Sequence, residues 1–155
     1  MTKKLSSLIF SALLSASILF TACGGGTANS PSNSAARSGP TIAVADAVHG
    51  DQNVPIDPQR VVSFDYGALD TFAALGASDK VIGLPKSNLP ELLSAYGDSK
   101  YADVGTLFEP NFELLYTLKP DLIIVSGRAA AKIPELRQIA PTIFVEPKND
   151  NYYDT

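Results

Sequence analysis

Leu118-Lys-Pro-Asp-Leu-Ile-Ile-Val-Ser-Gly-Arg128 is the stretch whose reading decides the fold. Asp121 to Val125 is the most apolar of the strand candidates, with Pro120 in front of it and Ser126-Gly127 behind. Such a run lacks polar alternation, and this predicts a strand buried on both faces, as in a parallel sheet. Immediately upstream, Asn111 is placed to cap a helix from Phe112 to Lys119, with Glu113 in its first turn and Pro120 as its stop. Downstream, Ala129 to Ala140 reads as helical, with Pro134 near its start or breaking it, and Thr142 to Val145 reads as another strand. The same unit recurs further toward the amino terminus. Arg60 to Phe64 is a short apolar strand, Asp65-Tyr66-Gly67 turns it, and Ala68 to Leu75 is a helix closed by Gly76. Lys80 to Leu84 is the next strand; Pro90 opens a helix from Glu91 to Tyr96, closed by Gly97; Asp103 to Gly105 is a strand stub. Thr41 to Val48 precedes all of this as a strand, turning at His49-Gly50-Asp51 into a return strand, Gln52 to Ile56, which Pro55 and Pro58 restrict to an edge. Strand–helix alternation of this kind predicts an α/β three-layer sandwich with a mostly parallel sheet over residues 41–147. The polar stretch 148–155 does not continue the period and reads as a truncated end.

The amino terminus has a different character. Met-Thr-Lys-Lys is followed by an apolar run from Leu5 to Phe20, and then by Thr21-Ala22-Cys23. Two lysines, a short apolar core and small residues before the break describe a signal peptide over 1–22. Serines interrupt the run, which falls short of the ~20 residues of a comfortable membrane span. Phe20-Thr21-Ala22-Cys23 resembles a lipobox, with Phe where Leu is more usual, so Cys23 is expected to become the lipidated first residue. Residues 23–40 are then a Gly/Ser/Asn-rich tether too polar to build a core.

Composition removes several function classes. The chain of 155 residues has 45% hydrophobic and 18% charged side chains, as a globular protein does, at a formal net charge of −4. Loss of Lys3 and Lys4 with the signal peptide leaves 10 basic against 16 acidic side chains, a poor balance for contacting nucleic-acid phosphates. One cysteine and one histidine exclude an intrachain disulfide, a CxxC pair and a multi-histidine metal site within the chain. No dinucleotide fingerprint, phosphate-binding loop or nucleophile elbow is present. His49, in the hairpin turn, reads as an exposed turn residue and not as a catalytic base.

Four stretches, in this order and spacing, resemble the iron–siderophore substrate-binding proteins: residues 60–76, residues 81–90, residues 118–128, and Ile139-Ala-Pro-Thr-Ile143. The branch they resemble most takes catecholate ligands, such as enterobactin fragments and petrobactin. The Lys-Pro-Asp-Leu-Ile-Ile segment by itself points only to the wider iron and vitamin B12 receptor group. The resemblance implies a class III binding protein: two α/β lobes joined by a long helix, with ligand in the cleft between them, of which this chain is the amino-terminal lobe. It further implies capture of a ferric siderophore, delivery to an ABC permease and its ATPase, and a position outside the cytoplasm on a lipid anchor. No enzymatic activity and no resident cofactor are implied, because the siderophore itself chelates the iron. A haem or corrinoid receptor on the same scaffold, or a surface lipoprotein that transports nothing, are the alternatives.

Arg128 is the leading ligand candidate on two grounds. It follows Ser126-Gly127 at the carboxyl end of a central strand, where open α/β sheets bind ligands, and it matches the family's Ser-Gly-Arg motif. A planar, permanently charged guanidinium suits a rigid tris-catecholate shell carrying roughly three negative charges. Lys86 lies just beyond the strand ending at Leu84, as a rim cation or a solvated loop lysine. Tyr66 is placed to line the pocket by its ring or its hydroxyl, while Asp65 reads as a helix cap. Glu113, with Glu109 close by, is expected by resemblance to dock permease arginines; complementing the helix dipole is the plainer reading of Glu113.

Overall fold

The computed structural model describes residues 39–46 and 48–145, all of which belong to one unit, Ser32–Thr155. The signal peptide, Cys23, most of the tether and the stretch 148–155 lie outside the described residues.

Five strands form a wholly parallel sheet: β3 (Val61–Phe64), β4 (Val81–Leu84), β5 (Ala102–Asp103), β6 (Leu122–Val125) and β7 (Thr142–Phe144), in the order β5-β4-β3-β6-β7. The two central strands, β3 and β6, are buried at every position and run in register from Val61 opposite Leu122 to Phe64 opposite Val125. Their side chains sort by period two onto opposite faces. Val62, Phe64, Ile123 and Val125 pack with Leu115, Ile133 and Leu136 on one face. Val61, Leu122 and Ile124 pack with Val54, Ala68 and Phe72 on the other. Strands that are apolar on both faces, Ser63 apart, therefore serve two cores at once, which is why no alternation is visible in their sequence.

The helices follow from their caps. Helix α1 (Tyr66–Ala74) begins where the Asp65 carboxylate accepts the Ala68 N–H at 2.7 Å. It ends at Gly76, whose φ of +68° allows Gly76 N–H to reach Ala73 O and Ala77 N–H to reach Phe72 O, a Schellman closure. Helix α2 (Phe112–Leu118) starts with the Asn111 side chain accepting Leu114 N–H at 3.1 Å. Its last carbonyls, at Leu118 and Lys119, accept from the Arg60 guanidinium. The Asp121 carboxylate in turn accepts the N–H groups of Gln59 and Arg60, each at 2.9 Å, pinning the starts of β3 and β6 together.

Two expected helices take another form. Residues 129–140 do not make one helix: a 3-10 turn (Ala130–Lys132) gives way to a short α3 (Ile133–Leu136), which has Pro134 in its first turn. Proline lacks an N–H and clashes with the preceding turn, so it can begin this helix but cannot sit inside it. The stretch beginning at Glu91 is a 3-10 helix, Glu91–Gly97, that buries Leu93 and Tyr96. Three-residue spacing eclipses those two side chains on one side, as a 3-10 helix requires.

The antiparallel hairpin of β1 (Thr41–Val44) and β2 (Gln52–Pro55) forms a separate two-stranded sheet, with Val54 in the core under β6. Its turn corrects the reading of His49 as an exposed residue. The imidazole is partly buried, edge-on to the Phe144 ring at 4.6 Å, with Nδ1 3.3 Å from Asp46 Oδ2 but not aligned to hydrogen-bond it. Arg137 clamps the same turn, donating to the His49, Gly50 and Thr142 carbonyls and to Asp46. Burial acts to raise the Asp46 pKa, but N–H donation from His49 and Val48 and the nearby imidazole prevail, and the carboxyl sits below its ordinary value of 3.8. The turn is a structural fastening between the hairpin and β7.

Candidate ligand-binding site

Chain order makes the site. From β3 the chain steps outward through β4 and β5 on one side, then returns to place β6 and β7 on the other. The order therefore reverses between β3 and β6, and loops leaving neighbouring strands in opposite directions open a crevice at their carboxyl ends. A depression of about 530 Å³ lies there, and it is lined by Asp65-Tyr66-Gly67 after β3, Ser126-Gly127-Arg128 after β6, and Leu107 and Phe144 at its sides.

Arg128 sits in a tight turn closed by Ala129 N–H to Ser126 O at 3.0 Å. Its side chain is exposed and, among the described residues, has no carboxylate partner; its guanidinium carbon stands 5.8 Å from the centre of the Phe108 ring. Tyr66 contributes its ring, while its hydroxyl donates to Ser87 O at 2.9 Å and Pro85 O at 3.3 Å. Burial pushes the Tyr66 phenol pKa up; the Arg128 charge opposes this and the Asp103 carboxylate adds to it. The phenol is thus held further from ionisation than an exposed tyrosine. Asp65 also lines the depression, but its Oδ1 is turned to the Ala68 amide.

The other expected residues are placed differently. Lys86 is not among the lining residues; its ammonium is held by the carbonyls of Asp98 at 2.8 Å and Gly97 at 3.2 Å, at the end of the 3-10 helix. Glu109 pairs with Lys132 at 3.2 Å. Glu113 is exposed in the first turn of α2, with exposed Tyr116 one turn further along. Among the described residues, no group of three or more His, Cys, Asp or Glu side chains is placed to hold a metal ion, and no helix is long and apolar enough to cross a membrane.

Sequence reasoning did not single out Leu107, Phe108 or Phe144. The available signal for the first two was a pair of apolar residues between Gly105 and Pro110, where a turn has no core to bury them.

A parallel sheet with a crevice at its switch point, and an arginine at the mouth of that crevice, defines an α/β lobe of the kind that binds ligands at its strand ends. Residues 61–155 match the family model for periplasmic binding proteins, and the chain belongs to that family, whose members bind substrates. It is 40% identical over 148 residues to the petrobactin-binding protein YclQ of Bacillus subtilis, an alignment covering 96% of this chain and 46% of that protein. It is 35% identical over 156 residues to the probable siderophore-binding lipoprotein YfiY of the same organism, covering 98% and 46%. The crystal structure of YclQ superposes with a TM-score of 0.66 at 47% identity, over 68% of this chain and 37% of that one. The periplasmic catecholate-siderophore binding protein VctP from Vibrio cholerae superposes at 0.61 with 38% identity, over 68% and 37%. The chain spans about half the length of the curated relatives it matches.

Proposed function

We propose that this chain is the amino-terminal lobe of an exported receptor that captures a ferric catecholate siderophore and hands it to an ABC importer. The observation that carries this reading is the Arg128 guanidinium, exposed at the switch-point crevice and unpaired with acid among the described residues. A cation left unneutralised beside a partly apolar hollow suits a ligand that is both anionic and aromatic. Relatives named for petrobactin and for catecholate siderophores support the same ligand class.

In this reading the iron is cargo. Its coordination shell is filled by catecholate oxygens, so the protein supplies outer-sphere hydrogen bonds and charge and no direct bond to iron. The lobe contributes Arg128 and the Tyr66 ring, and Lys86 joins them only by leaving its carbonyl partners. Neutralising about three charges takes further cations, which belong to the second lobe of a longer receptor. Cys23 carries the lipid that holds the receptor at the membrane, facing outward. Glu113 docks the permease; Glu109 assists only if its pairing with Lys132 opens. The lobe catalyses nothing.

The test is a titration of tyrosine fluorescence, which is unmasked because the chain has six tyrosines and no tryptophan. A ferric tris-catecholate is expected to quench the signal saturably, with haem weaker in a parallel titration. Saturation by haem at lower concentration than by the catecholate would overturn the ligand assignment and favour a haem receptor.

A further inference from the structure

Phe108 is a large apolar side chain with 60% of its surface exposed, and it belongs to none of the packed cores. Its turn is nonetheless fastened at several points. Thr106 N–H donates to Glu109 O at 3.0 Å, the Thr106 hydroxyl oxygen accepts from the N–H groups of Phe108 at 3.2 Å and Glu109 at 3.0 Å, and Gly105 bridges to Pro110. The Glu109–Lys132 ion pair then ties the turn to the segment that follows Arg128. The fastened backbone fixes where the exposed ring leaves the turn.

We infer that Phe108 is a positioning residue, whose ring holds the Arg128 guanidinium at the mouth of the crevice, oriented to receive an anionic aromatic chelate. Among the described residues, Arg128 has no hydrogen bond or ion pair, so the ring 5.8 Å from its guanidinium carbon is what orients it. A free arginine loses substantial rotamer freedom when it engages a ligand, and a side chain already held over a ring loses less. The ring leaves the N–H donors unoccupied, which an acidic partner would not do. A phenylalanine here therefore preorganises the cation without neutralising it. This inference rests on the proposed ligand class, but the ring–cation contact exists without ligand.

The test uses the full 155-residue chain and four variants: Phe108→Leu, Phe108→Tyr, Arg128→Ala, and Phe108→Leu with Arg128→Ala. Without ligand, the side-chain Nε–H proton of Arg128 is expected to show a ring-current shift that Phe108→Leu abolishes and Phe108→Tyr retains. With the ferric tris-complex of 3,4-dihydroxybenzoate as probe, calorimetry is expected to show about two- to five-fold weaker binding in Phe108→Leu. Phe108→Tyr should restore the affinity, and Phe108→Leu should cost nothing more once Arg128 is alanine. An unchanged Nε–H shift in Phe108→Leu overturns the inference. So does an equal loss of affinity in the Arg128→Ala background, because the ring would then act on its own. Equal binding by the parent chain and Arg128→Ala removes the ligand reading; with that result, or with no binding by either, the Nε–H shift still decides the ring–cation contact.

Discussion

Replacing Arg128 by alanine is expected to weaken binding of a ferric tris-catecholate by roughly 10- to 100-fold, with little change in the melting temperature. The affinity loss follows from charge-assisted hydrogen bonds, worth about 1.5–3 kcal/mol when a partner is removed. The unchanged melting point follows from the exposure of the side chain, which holds no carboxylate or carbonyl among the described residues. Arg128→Lys should recover only part of the loss. An ammonium keeps the charge but gives up the planar fork and the stacking surface over Phe108. Calorimetric titration of the three proteins checks both points. Equal affinity in parent and alanine variant would remove Arg128 from the site.

Gly105→Ala is expected to destabilise the lobe by about 2–3 kcal/mol, read as a fall in the urea midpoint. Gly105 has φ +104°, outside the range of L side chains. A β-carbon there would stand 2.5 Å from Glu109 O and 3.0 Å from Asn111 N. Both are backbone atoms, so no rotamer change relieves the clash, and the Gly105–Pro110 bridge has to open. Because that bridge closes the turn presenting Leu107 and Phe108, the substitution should also loosen the crevice wall. Gly97→Ala is a control, since nothing lies within 4 Å of its added carbon. A loss below about 1 kcal/mol at Gly105 would mean that the turn is not held as described.

How far the sequence reveals this molecule depends on how local each determinant is. The run Asp121 to Val125, the Asn111 cap, the Pro120 stop and the Gly76 closure each act within a few residues, and each element they imply is present. Pro134 also acts locally, yet its pattern allowed two outcomes, a late helix start or a broken helix. Packing of Ile133 and Leu136 against the β3–β6 face selects a single short turn. Long-range contacts leave no such trace. His49 looked like a turn residue in solvent because its partners, Phe144 and Arg137, come from the far end of the lobe. Lys86 read as a rim cation or a solvated loop lysine, and its contacts with the Gly97 and Asp98 carbonyls, 11 and 12 residues further along, left no mark in the sequence.

The site was half legible for the same reason. Arg128 and Tyr66 stand directly after strand ends, where topology makes ligand contact a general expectation. Phe108 and Phe144 join them across the fold, and no spacing rule connects either to Arg128. The cation was legible in the sequence; the phenylalanine ring it lies beside was not.

The most direct measurement of the whole account is amide chemical-shift mapping of the chain with the gallium tris-complex of a catecholate, a diamagnetic stand-in for the ferric ligand. Perturbations concentrated at Asp65-Tyr66-Gly67 and Ser126-Gly127-Arg128, with Leu107 and Phe108 beside them, are the expected result. Perturbations confined to the opposite ends of the strands, or to the hairpin, would contradict it.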